Sequence, residues 1–117
     1  SDDKWIEFII DQIILNSIKY KKDDAPVVTV SFADHGEYAS LSITDNGMGI
    51  RQSEISRIFD KGFVGSNGRA GKHSTGMGLY LCKQLCTMLG IDIDAESEVE
   101  RYTTVRLHFP KNNRLSG

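Results

Sequence analysis

Apolar residues recur at helical spacing from about residue 3 to residue 20, where Ile6, Ile9, Ile10, Ile13, Leu15 and Ile18 predict a long amphipathic helix with Asp2 and Asp3 as caps near its start. A polar stripe interrupts it. Gln12, Asn16, Lys19 and Tyr20 stand at i, i+4, i+7 and i+8 and therefore line one face of that helix. After a polar break at 21–26, residues 27–33 and 38–45 alternate or run apolar around Asp34-His35-Gly36, which predicts a β-hairpin. The second strand ends at Asp45, directly before the glycine turn Asn46-Gly47-Met48-Gly49.

Ile55, Ile58 and Phe59 predict a short helix over residues 52–59, since their spacing gives one apolar stripe. Periodicity then disappears over residues 60–75, where Gly62, Gly65, Gly68 and Gly71 stand among Lys61, Asn67, Arg69 and Lys72. A loop of this length joining two glycine motifs reads as a lid over a site. Met77, Leu81, Leu85, Met88 and Leu89 predict a second long helix over 77–89, stopped by Gly90 as its C-terminal cap. Two strands follow, at 91–97 and 103–109, and the residues after Pro110 read as a tail. This order predicts an α+β fold of one domain, residues 1–117, a two-layer α/β sandwich with helices on one face of a mixed, mostly antiparallel sheet.

Composition narrows the class of partner. A formal net charge of −2 gives no basic stripe, which argues against nucleic acid. No apolar run reaches the length of a membrane span, and the first residues lack the pattern of a signal peptide, so the sequence reads as a soluble intracellular domain. Cys82 and Cys86 lie one helical turn apart in an apolar stretch without a second Cys or His pair, so they read as core thiols of a reducing compartment.

The two glycine motifs carry the chemistry. Ser74-Thr75-Gly76-Met77-Gly78 opens the second long helix, where free N–H groups and the positive dipole end attract phosphate and glycine allows close approach. Ser74 and Thr75 are equally suited to plain N-capping. Asp45, held at the mouth of a crevice, can accept a hydrogen bond from the exocyclic amine of adenine, where guanine presents an oxygen. It would select ATP over GTP; its structural alternative is a turn-initiating Asp. Asn16, costly in an apolar helix unless satisfied, offers an amide oxygen to Mg²⁺ beside phosphates. Lys19 would neutralise phosphate charge and Tyr20 would border the base, or both would simply sit at the solvent edge.

Taken together, Asn16-x-x-Lys19-Tyr20, Asp45-x-Gly47-x-Gly49, Ile58-Phe59-Asp60-Lys61-Gly62-Phe63 and Gly76-x-Gly78-Leu79 resemble the N, G1, F and G2 boxes of the ATP-binding domain of bacterial sensor histidine kinases. The resemblance runs from about Lys4 to Pro110. It implies the left-handed-crossover (Bergerat) ATP-binding fold shared with gyrase, heat-shock chaperone and mismatch-repair ATPases, with a lid between the F and G2 boxes. It implies contacts to ATP from Asn16, Lys19, Tyr20, Asp45, Gly47, Gly49, Ile50, Phe59, Phe63, Arg69, Ser74, Thr75, Gly76, Met77, Gly78 and Leu79, and Mg²⁺ at Asn16. Residues 61–69 and 74–81 further resemble the short membrane kinases that answer envelope or peptide-antibiotic stress.

In that family the γ-phosphoryl passes to a histidine on a separate dimerising helical domain, and from there to an Asp of a response regulator. His35, His73 and His108 fall in a predicted turn, in the lid and in the last strand, so the acceptor histidine is absent. The resemblance thus implies a cytoplasmic catalytic domain, monomeric by itself, from a longer membrane-anchored homodimer. Tyr102-Thr103 departs from the family's frequent glycine before the Thr. Gln12 occupies the place where hydrolytic relatives often carry a Glu that activates water, so this pocket would lack an internal general base; a bare helix-surface position is its alternative. A serine kinase of the anti-sigma-factor type and a nucleotide-dependent switch remain the competing functions.

Overall fold

The computed structural model describes residues 2–22, 24–63 and 78–110. Helix α1 spans Asp2–Lys19, strands β1 and β2 span Val28–Asp34 and Tyr38–Asp45, and a single helical turn, α2, spans Gln52–Ile55. Helix α3 spans Gly78–Leu89, and strands β3 and β4 span Asp92–Glu98 and Tyr102–Pro110. The sheet has four strands in the order β1-β2-β4-β3. All its pairings are antiparallel among the described residues, where a mixed sheet was expected.

Both hairpin turns follow from local chemistry. Asp34 Oδ1 accepts the Gly36 N–H at 2.9 Å, and Gly36 takes φ +93°, a conformation open to a residue without Cβ. The β3–β4 turn solves the same problem differently: Glu100, a residue with a Cβ, itself adopts φ +66°.

Ile9, Ile13 and Ser17 form the buried line of α1 at i, i+4 and i+8, and they meet Ile43, Val105, Leu107, Ile91 and Ile93 from the sheet. Fully burying each Ile or Leu contributes about 1.5–3 kcal/mol. In α3 the core thiols Cys82 and Cys86 are fully buried as expected, and Leu85 and Leu89 of the expected stripe pack on the core, but Leu81 and Met88 of that stripe face outward. The small thiols let α3 approach α1 closely enough for the Cys82 Sγ–H to point at the Ile9 carbonyl, 3.6 Å away. The helix expected over 52–59 also stops early, because Arg57 and Asp60 donate their N–H groups to residues three back and turn the chain. Both helices lie over β2, β4 and β3, so Val30 and Phe32, on the helix side of edge strand β1, stay exposed.

Burial pushes the Cys82 thiol up to about 12 and the Cys86 thiol up to about 11. At pH 8 about one thiol in a thousand or fewer is then ionised, against about a quarter for a free cysteine. Iodoacetamide should therefore label the native protein at least about 100-fold more slowly than the urea-unfolded one. Comparable rates would place these thiols outside the core.

Candidate functional site

The C-terminal ends of α1 and β2, the turn between β3 and β4 and the N-terminus of α3 supply the candidate site. Asp45 is buried, and its Oδ1 accepts the Gly47 N–H at 2.8 Å, which bends the chain into the glycine loop. Burial raises the Asp45 carboxyl above its ordinary pKa, while the Gly47 N–H and the Ser17 hydroxyl favour the charged form and oppose the rise. Ser17, one helical residue after Asn16, sits between two acceptors, the Ile13 carbonyl at 3.1 Å and the Asp45 carboxyl.

Close backbone approach explains the glycines. A Cβ on Gly47 would lie 2.7 Å from the Tyr20 carbonyl oxygen and 2.9 Å from Asp45 Oδ1. Met48 N–H bonds to that same Tyr20 carbonyl at 3.1 Å, so the loop is laced to the end of α1. Asn46 exchanges two bonds with Val27, Oδ1 accepting its N–H at 2.9 Å and Asn46 N–H reaching its carbonyl at 3.3 Å. Gly49, at φ +76°, has backbone of Glu98 and Val99 where its Cβ would stand.

The end of α1 meets this loop system through the Tyr20 carbonyl, and Gln12 of its polar stripe meets the head of α3. Gln12 Oε1 lies 3.3 Å from the position a Cβ on Gly78 would take, so helix phase and structure agree that Gln12 borders the second glycine motif. Asn16 is half-buried on the same face of α1. Lys19 is exposed with no ion pair among the described residues. Tyr20 is half-buried and contributes its carbonyl to the loop.

The remaining expected residues divide. Ile50 donates its N–H to Ser97, and Leu79 packs on the core from the first turn of α3. Phe59 packs against the core as well, and Phe63 lies under the Arg57 guanidinium at 5.0 Å. Arg69, Ser74, Thr75, Gly76 and Met77 lie outside the described residues, as do the lid from residue 64 onward and the tail. Three buried hydroxyls were missed by sequence reasoning: Ser17, Ser97 and Thr103, the last directly across the strand pair from Asp45. An Asp at a strand end was a visible signal; the residue opposite it depends on register across 58 positions, the difference between 103 and 45.

The two described histidines sit away from this pocket, and His73 lies outside the described residues. His108 pairs with Asp94 at 2.8 Å on the sheet face opposite the helices, and His35 stacks on Tyr38 in the first hairpin, its ring 4.5 Å away. Neither lies on a helix.

What the arrangement offers is a buried acceptor carboxyl at one end, a glycine as the first residue of α3 at the other, and the half-buried Asn16 on the helix that runs past both. A base amine, a phosphate and a hard cation are the groups that match these three features.

Similarity to known proteins gives the family. Residues 1–113 match the family described as histidine kinase-, DNA gyrase B-, and HSP90-like ATPase. The chain is 41% identical over 115 residues to the sensor protein BceS of Bacillus subtilis, covering 98% of this chain and 34% of that protein. It is 38% identical over 115 residues to the sensor protein kinase GraS of Staphylococcus aureus, covering 98% of this chain and 33% of that one. The chain thus spans about a third of the length of these relatives. The fold matches the mycobacterial sensor histidine kinase MprB with a TM-score of 0.83 at 22% identity, over 94% of this chain and 74% of that one. The catalytic domain of the histidine kinase ThkA superposes with a TM-score of 0.77 at 19% identity, over 95% of this chain and 69% of that one. The chain belongs to the family of histidine kinase-, DNA gyrase B-, and HSP90-like ATPases.

Proposed function

We propose that this chain is the single ATP-binding catalytic domain of a two-component sensor histidine kinase, of the kind that answers envelope or peptide-antibiotic stress. It presents the γ-phosphoryl of ATP to a histidine on a separate dimerisation domain, for relay to a response regulator. The full protein is a membrane-anchored homodimer with this domain in the cytoplasm. The observation that carries the reading is the buried Asp45 carboxyl, held open by Gly47 N–H and Ser17 at the base end of a backbone-lined loop. Similarity to two sensor kinases over nearly the whole chain supports it.

Asp45 reads the adenine amine. Gly47 and Gly49 let the base lie against backbone, and Gly78 leaves the head of α3 free of a side chain in front of Gln12. Asn16 would hold Mg²⁺ through its amide oxygen, and the ion would neutralise charge on the phosphates when bound. Lys19, unpaired among the described residues, adds a cation at the same end. Gln12 accepts no proton at neutral pH, so the pocket carries no carboxylate base at this position. That suits transfer to an imidazole, which is already a nucleophile, over hydrolysis.

The direct test supplies the domain with the histidine-bearing segment of a relative and radiolabelled ATP. The expected product is acid-labile and alkali-stable, as phosphohistidine is; label that resists acid would point to a serine acceptor. In the same assay Asn16→Ala should lower transfer by more than it lowers nucleotide binding, because the base and loop contacts are untouched. Transfer at the parent rate would reduce Asn16 to a structural residue.

A further inference from the structure

We infer that Ser97 is a positioning residue for nucleotide binding, fixing the glycine loop to the β3–β4 hairpin so that the base end of the pocket is set from the sheet as well as from α1. This rests on the nucleotide-binding reading above.

Ser97 is buried near the end of β3, and four groups converge on it. Its hydroxyl accepts the Ile50 N–H at 2.7 Å, donates to the Tyr102 carbonyl at 2.7 Å and lies 2.9 Å from Thr103 Oγ1. A hydroxyl has one proton, so with that proton on Tyr102 the Thr103 hydroxyl must be the donor to Ser97. The Ser97 carbonyl in turn receives the Gln52 side-chain amide at 2.8 Å. One side chain therefore joins the last residue of the glycine loop to the strand residue opposite Asp45.

The surrounding contacts make this joint stiff. Glu100 N–H reaches the Met48 carbonyl at 2.6 Å, and Lys22 Nζ reaches the Glu100 carbonyl at 2.7 Å, which ties the hairpin turn to the chain just past α1. Gly49 fits only because its missing Cβ leaves room for the Glu98 carbonyl. The loop is thus pinched between the end of α1 and the hairpin. The backbone contacts survive any side-chain change; Ser97 supplies the removable part. Without its hydroxyl, the half-buried Ile50 N–H and the buried Thr103 hydroxyl both lose this partner, and the loop shifts to recover one.

The experiment compares the parent domain with Ser97→Ala and Ser97→Thr by ATP titration calorimetry and by hydrogen exchange at the Ile50 amide. Ser97→Ala should weaken ATP binding about 5–20-fold and speed exchange at Ile50 about tenfold or more relative to core strand amides, and Ser97→Thr, which keeps the hydroxyl, should restore both. Unchanged ATP affinity in Ser97→Ala overturns the inference, as does a weakening that Thr fails to restore while the fold is intact. Should the Ala variant fail to fold, Ser97→Cys, close in shape and a much weaker acceptor, carries the same comparison. A parent domain that binds no ATP would sink the functional reading alone, and Ile50 exchange unaffected by Ser97→Ala would then sink the positioning role separately.

Discussion

Asp45→Asn should lower ATP affinity by about one to two powers of ten while leaving the fold intact. The carboxylate can only accept, so it presents an oxygen to a base amine whichever way it turns; an amide can also turn an NH₂ toward that amine. Losing a charge-assisted hydrogen bond in a buried setting costs roughly 1.5–3 kcal/mol, which is the affinity loss stated. Stability should move in the other direction. Burial, the largest influence on Asp45, raises its pKa in the folded chain, so folding disfavours the ionised form. The resulting penalty is present at neutral pH and fades as the carboxyl protonates on acidification, the reverse of an ion-paired Asp. Asp45→Asn should therefore be as stable as the parent or more so at pH 7, and this advantage should vanish in acid. For the parent, ATP binding should begin to fail on acidification above the ordinary Asp range near 3.8, because protonation removes the charge and turns one carboxyl oxygen into a donor. Titration calorimetry across pH, paired with urea melts, checks all three; full ATP affinity in Asp45→Asn would end the adenine assignment.

The contrast between legible and illegible parts of this chain follows from distance along the sequence. The first hairpin was legible because Asp34 and Gly36 close their own turn, within three residues. The end of α3 was legible because Gly90 takes φ +76° and lets Ile91 N–H return to the Cys86 carbonyl at 2.8 Å. Asp45 and its glycines stood out because they are adjacent and bond to one another. The phase of α3 was legible only in part: Cys82 and Cys86 are core thiols as expected, but Leu81 and Met88, the more apolar letters, face outward because close packing against Ile9 favours the smaller thiols at the interface. The helix expected over 52–59 failed for a similar reason, since the Ile58 and Phe59 that suggested it reach the core from turns. Ser17, Ser97 and Thr103 are unremarkable as letters. Their significance arises only when β4 is laid between β2 and β3 and α1 across the sheet, which no local pattern encodes.

Gly49→Ala should be the most damaging single methyl group that can be added to the glycine loop. Its Cβ would overlap the Glu98 carbonyl oxygen and lie 2.7 Å from Val99 Cα, and both are backbone, so no rotamer change can relieve the contact. The residue must also hold φ +76°, which costs a non-glycine residue about 1–2 kcal/mol. Overpacking adds about 1–3 kcal/mol, so a total near 2–5 kcal/mol is expected, divided between lost stability and displacement of the loop. Displacement would pull Met48 from the Glu100 N–H and Ile50 from Ser97, the bonds that define the base end of the pocket. ATP affinity should fall at least tenfold even at temperatures where the variant is folded. Gly36→Ala provides the control within the same molecule, because Gly36 also has positive φ but nothing within 4 Å of its would-be Cβ. That variant should show the strain alone, about 1–2 kcal/mol by urea melt, with ATP affinity unchanged. If Gly36→Ala and Gly49→Ala prove equal in stability and in ATP binding, the hairpin does not clamp the loop and the packing argument fails.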